Sequence, residues 1–91
     1  MKLNFIVKPP KELEDKEDSK QLSDVEWPAL PLKGHFIDLA PQGYVGGVGA
    51  RVIDVQHWLG CGDIDIICTI EAKQEAASLF HSLKKEDGWK D

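Results

Sequence analysis

The sequence predicts a mainly β or α+β fold: a small curved antiparallel sheet, or an SH3-like open barrel, of four to five strands with one C-terminal helix. Two alternating apolar runs joined by a short turn indicate a hairpin. Prolines and glycines between short strands indicate bends of the kind found at barrel corners. Apolar residues spaced three and four apart near the end of the chain indicate the helix. We expect a single domain over residues 1–91, because a chain of this length supports one core.

The hairpin is predicted over residues 51–59 and 64–72, with residues 60–63 as the turn. Pairing Leu59 with Ile64 places apolar side chains on one face and mostly polar ones on the other, which is typical of a half-buried sheet. The expected core face carries Ile53, Val55, His57, Leu59, Ile64, Ile66, Cys68 and Ile70. The expected outer face carries Val52, Asp54, Gln56, Trp58, Asp65, Ile67, Thr69 and Glu71.

The remaining elements follow from local patterns. A first strand over residues 2–7 ends at two prolines, and a second covers residues 35–39. Residues 8–26 are acidic with few apolar side chains, so we expect a solvated, mobile loop there. Residues 27–32 are extended by their prolines and are expected to dock on the core. The predicted helix buries Ala76, Leu79, Phe80 and Leu83.

Composition limits the partners and the compartment. The net charge is -5 and Arg51 is the single arginine, so nucleic acid is disfavoured as a partner. Cys61 and Cys68 lie too far apart along the predicted hairpin for a disulfide, and two free thiols favour a reducing cytoplasm. No apolar run has the length of a membrane span, so we expect a soluble cytoplasmic protein without a membrane partner.

Motifs for chemistry are weak in this chain. The glycine run over residues 43–49 leads into a strand rather than a helix, so it indicates a bend and not a phosphate loop. No paired cysteine or histidine spacing supports a metal, and we expect no metal, no cofactor and no catalytic residue. A Cys68–His57 thiolate pair is disfavoured because buried thiols are usually inert. Residues 30–34 and the short strands after them resemble small bacterial and phage β-proteins of unknown function, a resemblance that names no family.

The candidate binding residues are Trp58, Ile67, His57, Tyr44 and Trp27. An exposed Trp58 beside Ile67 on a polar face predicts a contact site, because aromatic side chains are favoured interface anchors. The main functional hypothesis is therefore a small non-enzymatic protein-interaction module whose partner is another protein or a second copy. If Trp58 is instead covered by the helix or by residues 27–32, its role is structural.

Two other function classes remain open. His57 on the core face is either a hydrogen-bonded core histidine or a functional group in a cleft. In the second case the protein is a small ligand-binding or hydrolytic domain that uses His57 and His35 in a pocket at the barrel mouth. Base stacking on Tyr44 and Trp58 is a third hypothesis, against which the acidic charge counts.

Overall fold

The chain forms a mixed, curled sheet of five strands that makes a half-barrel, with one short helix near its C-terminal end. The computed structural model describes residues 1–40, 47–72 and 74–91. The strands are β1 (Lys2–Lys8), β2 (Lys20–Glu26), β3 (Phe36–Asp38), β4 (Gly49–Trp58) and β5 (Asp63–Ile70). The helix α1 spans Ala76–His81, and a 3-10 turn spans Lys85–Asp87. The mainly β class and the C-terminal helix are confirmed.

The strand order is β2-β1-β5-β4-β3. Neighbouring strands are antiparallel except β1 and β5, which run parallel. The expectation of a purely antiparallel sheet is therefore wrong at this pair. Two parallel strands need a long connection between them, and here β2, β3 and β4 form part of that connection.

One face of the sheet, the inner face, forms the core. It carries Leu3, Phe5 and Val7 of β1, all buried, and Phe80 of α1 and Leu83 just after the helix belong to the same apolar cluster. This alternation follows directly from the period of two along β1. The opposite, outer face carries Asn4 and the residues level with it on the neighbouring strands. Since α1 packs on the inner face, the two faces have different surroundings.

The register of the hairpin differs from the predicted one. His57 pairs with Ile64 and Trp58 with Asp63, and a β-bulge lies between Val52 and Asp54. The bulge reverses the alternation of β4, so Val52 is buried at 1% exposure, whereas the sequence pattern placed it on the outer face. Leu59 was expected in the core and is 101% exposed at the turn. His57 lies on the same face as Val55 and its partner Ile64, but it is exposed at the end of the hairpin rather than buried in the core.

Residues 8–26 were expected to form a loop, and the last seven of them form β2 instead. A second bulge explains why its pattern is hard to recognise. Leu3 pairs with Val25 while Phe5 pairs with Leu22, so one extra residue is inserted, and Asp24 adopts a φ of 57° there. The bulge brings two apolar residues, three positions apart, to the same face.

Polar contacts fix the helix over the sheet. The Lys20 Nζ donates hydrogen bonds to the Phe80 oxygen at 2.8 Å, in the last turn of α1, and to the Leu83 oxygen at 2.9 Å, just beyond the helix. The ammonium also lies 4.7 Å from the centre of the Phe80 ring. Residues 27–32 dock as expected in part: Trp27 and Leu30 pack on the core, while Leu32 is exposed.

The two registers are distinguished by a pair of alanine variants. Val52→Ala should lower the free energy of unfolding by about 2 kcal/mol, because it removes buried methyl groups and leaves a cavity. Leu59→Ala should change it by less than about 0.5 kcal/mol, because its side chain is already in water. Urea denaturation measures both values. The opposite order would support the register that the alternation alone predicts.

Candidate functional site

Trp58 is the aromatic residue at the free end of the hairpin. It is the last residue of β4, its side chain lies on the outer face of the sheet, and 50% of its surface is exposed. Neither α1 nor residues 27–32 cover it, because both pack against the inner face. The structural alternative, in which one of these elements buries Trp58, therefore does not hold.

A chain of hydrogen bonds holds the Trp58 ring in place. Its Nε1 donates to Oδ2 of Asp65 at 2.7 Å, and Oδ1 of Asp65 accepts from the Asn4 amide at 3.1 Å. The Asn4 oxygen in turn accepts from the backbone N–H of Asp24 at 3.1 Å. These four residues lie on β4, β5, β1 and β2, so the contacts cross four adjacent strands. Both carboxylate oxygens of Asp65 are occupied, and the indole is oriented before any partner arrives.

The turn next to Trp58 is apolar and open. Leu59 projects entirely into solvent, and a shallow cavity of about 300 Å³ lies at the turn. We define the tip patch as the side chains that line it, namely His57, Trp58, Leu59, Asp63 and Ile64. Large apolar side chains are exposed to water at the end of this hairpin. Covering them with a partner is favourable because it removes apolar surface from water.

The part of the hairpin that follows Arg51, residues 52–70, is acidic. Residues 52–70 contain Asp54, Asp63 and Asp65 and no lysine or arginine. Arg51 itself is engaged: it forms two hydrogen bonds with the Glu71 carboxylate, at 2.6 and 2.8 Å. That carboxylate raises the pKa of Arg51, and the same hydrogen bonds lower the pKa of Glu71. Residues 52–70 therefore carry a net negative formal charge.

The structure does not bring His57 and His35 together. His57 belongs to the tip patch, whereas the His35 carbonyl accepts from the backbone N–H of Val52. Five residues along β4 separate the two positions, or about 16 Å. The His35 Nδ1 accepts from the Leu32 N–H at 3.1 Å, which gives this imidazole a local role in its loop.

The possible Cys68–His57 pair is not formed either. Cys68 lies four residues beyond the His57 partner Ile64 along β5, about 13 Å away. Cys68 is buried, and burial raises the pKa of its thiol to about 12. Cys61, at the turn, is exposed.

The other predicted binding residues occupy different environments. Ile67 shares the outer face with Trp58 but is only 8% exposed, and its neighbour on β1 is Ile6. Trp27 is half-buried on the inner face, where its ring meets that of Phe5 edge-on at 5.2 Å. Tyr44 lies outside the described residues.

The sequence pattern does not identify Asn4 and Asp65 as residues that orient the Trp58 ring. Asp65 was placed beside Trp58 by the predicted register, but no signal in the sequence placed Asn4 near either of them. In the structure Asn4 and Asp65 are partners in the parallel ladder between β1 and β5. In the part of the chain that the structure describes, no three His, Cys, Asp or Glu side chains cluster closely enough to hold a metal ion.

Comparison with models of protein families, with curated proteins and with solved structures finds no match to this chain. Among the described residues, no helix combines the length and the apolar character needed to cross a membrane.

Removing the Asp65 carboxylate should release Trp58. In Asp65→Ala both acceptors are lost, so we expect a decrease of about 1–3 kcal/mol in the free energy of unfolding. The Trp58 indole proton should also exchange faster with solvent, as measured by NMR. Asp63→Ala is the matched control, because the Asp63 side chain makes no hydrogen bond within the described residues. Equal exchange rates in both variants would contradict a role of Asp65 in orienting the ring.

The two thiols should differ sharply in reactivity. Iodoacetamide should modify Cys61 in the folded protein and reach Cys68 only after unfolding, because the Cys68 thiol is buried and stays protonated well above neutral pH. Intact mass would then show a single adduct before denaturation and a second one after it. Cys61→Ser should abolish the first adduct. Rapid double modification of the folded chain would show that Cys68 is accessible.

Proposed function

We propose that this protein is a non-enzymatic interaction module that binds a basic protein segment at the tip patch. The observation that carries the proposal is the half-exposed Trp58, held in a fixed orientation by Asp65 beside the fully exposed Leu59. Tryptophan is among the residues that most often dominate binding energy at protein interfaces.

The fixed orientation of Trp58 favours binding over a merely structural role. A mobile indole loses conformational entropy when a partner covers it. An indole that is already hydrogen-bonded to Asp65 loses less, so binding costs less entropy. Leu59 adds apolar surface directly beside it. The patch therefore combines an aromatic anchor with an adjacent aliphatic one, and both are accessible in the free protein.

The charge around the patch selects the kind of partner. The carboxylates of Asp54 and Asp63 lie on the same hairpin, and residues 52–70 contain no lysine or arginine to neutralise them. A partner lysine or arginine can pair with Asp63 and also lie over the Trp58 ring. Phosphate groups would be repelled, so a protein segment is favoured over a nucleic acid.

The same charge argues against a contact between two copies through this patch. Each tip carries three carboxylates between residues 52 and 70, and the whole chain has a net charge of -5. Facing two such tips places like charges together in an interface, which costs free energy. We therefore propose a partner of opposite charge rather than a second copy.

Three synthetic probes test the proposal: a peptide of alternating lysine and leucine, its glutamate counterpart, and a short single-stranded DNA. Only the lysine peptide should shift the Trp58 indole N–H resonance, with an affinity that falls as salt is added. Trp58→Ala should weaken binding by about 2 kcal/mol, or about thirty-fold in Kd by calorimetry.

Phe36→Ala is the matched control. Phe36 is also a half-exposed aromatic residue, but it lies on β3 with Arg51 5.3 Å from its ring, away from the tip. Its replacement should leave the Kd unchanged within about a factor of three. Equal binding of both peptides, preference for the DNA, or a Kd insensitive to Trp58→Ala would each refute the proposal.

A further inference from the structure

A second pocket lies on the inner face, away from the tip patch. It has a volume of about 150 Å³ and sits between β1, β2 and the start of the segment after it, the end of β3 and the C-terminal segment. Its aromatic walls come from three separate parts of the chain: Phe5, Trp27 and Trp89. The proposed protein-interaction function assigns no role to this pocket.

The aromatic walls are held rigidly. Phe5 and Trp27 meet edge-on, with an interplanar angle of 67°. Trp89 is only 3% exposed, and the next residue, Lys90, exchanges backbone hydrogen bonds with Gln21 of β2 at 2.7 and 2.8 Å. The pocket is therefore formed before a ligand enters it, which lowers the entropic cost of binding.

Two acidic residues from different elements belong to the lining. Asp38 stands at the end of β3 and Asp87 at the end of the 3-10 turn, and the part of the lining that the structure describes contains no lysine or arginine. Among the described residues neither carboxylate forms an ion pair. The Oδ1 of Asp38 accepts from the N–H groups of Ala40 and Val48 at 3.0 and 2.9 Å, which fixes that side chain.

We propose that this pocket binds an alkylammonium group. Aromatic ring faces attract cations through their quadrupole, and the two carboxylates add a net negative charge. A neutral apolar ligand would bury part of these carboxylates without compensating them, which is unfavourable. An anion would be repelled outright. Only a cation with an apolar surface satisfies both the walls and the charges.

The volume restricts the size of the group. At roughly 30 Å³ for each water, 150 Å³ corresponds to about five water molecules. It is smaller than the roughly 300–1,000 Å³ typical of pockets for drug-sized ligands. A tetraalkylated nitrogen with methyl substituents matches this size. The rest of a larger molecule would have to remain outside, in the open side of the pocket.

Binding of choline and of its uncharged tert-butyl analogue tests the proposal directly, because the two have the same shape and differ in charge. Choline should shift the indole N–H resonances of Trp27 and Trp89 in a saturable way and leave that of Trp58 unchanged. The neutral analogue should bind at least about ten-fold more weakly. A peptide with one trimethyllysine distinguishes the source: tighter binding than choline assigns the group to a protein side chain, and weaker binding assigns it to a free small molecule.

Asn variants separate the charge from the shape of the pocket. Asp38→Asn combined with Asp87→Asn keeps both side-chain volumes and the Oδ1 acceptor of residue 38, and it should weaken choline binding by about ten-fold or more. Asp63→Asn, at the tip patch, should have no effect. Thermal unfolding of each variant confirms that the fold is retained. Absence of choline shifts, or equal affinity for the neutral analogue, would overturn the proposal and leave the tip patch unaffected.

Discussion

The parallel pairing of β1 with β5 organises both faces of this sheet. On the inner face it sets Phe5 beside Ile66 and Val7 beside Cys68, which joins the first and last strands of the chain into one continuous core. On the outer face the same ladder sets Asn4 beside Asp65. A side chain that orients Trp58 is therefore itself fixed by a strand from the other end of the sequence. Core and candidate site depend on a single set of backbone hydrogen bonds.

Two β-bulges determine which residues of β2 and β4 face the core. In β4 the bulge brings Val52 and Val55 to the inner face although they are three residues apart, and in β2 another bulge does the same for Leu22 and Val25. Bulges also increase the local twist of a sheet, and a half-barrel requires a strongly curled one. The irregularities that obscure the sequence pattern are thus part of how the strands curl around α1.

The three tryptophans lie on opposite faces of the sheet, in different environments. Trp27 and Trp89 lie on the inner face and line one apolar pocket, with Phe5 as its third aromatic wall. Trp58 lies on the outer face, hydrogen-bonded to Asp65 and half exposed. Carboxylates accompany both sites, and the single arginine is occupied by Glu71. Cations are therefore the common chemical preference of the two proposed binding sites, although the sites face opposite sides of the sheet.

Local periodicity predicts the mainly β class, the strand at the start of the chain, the hairpin and the C-terminal helix, because each leaves a period of two or about 3.6 residues. It also singled out Trp58 as a residue that needed an explanation. The parallel partner of β1, the existence of β2, the burial of Val52 and the exposure of Leu59 and His57 depend instead on the folded chain. Strand pairing and bulges arise from contacts between residues far apart in the chain, and alternation along one strand carries no information about them.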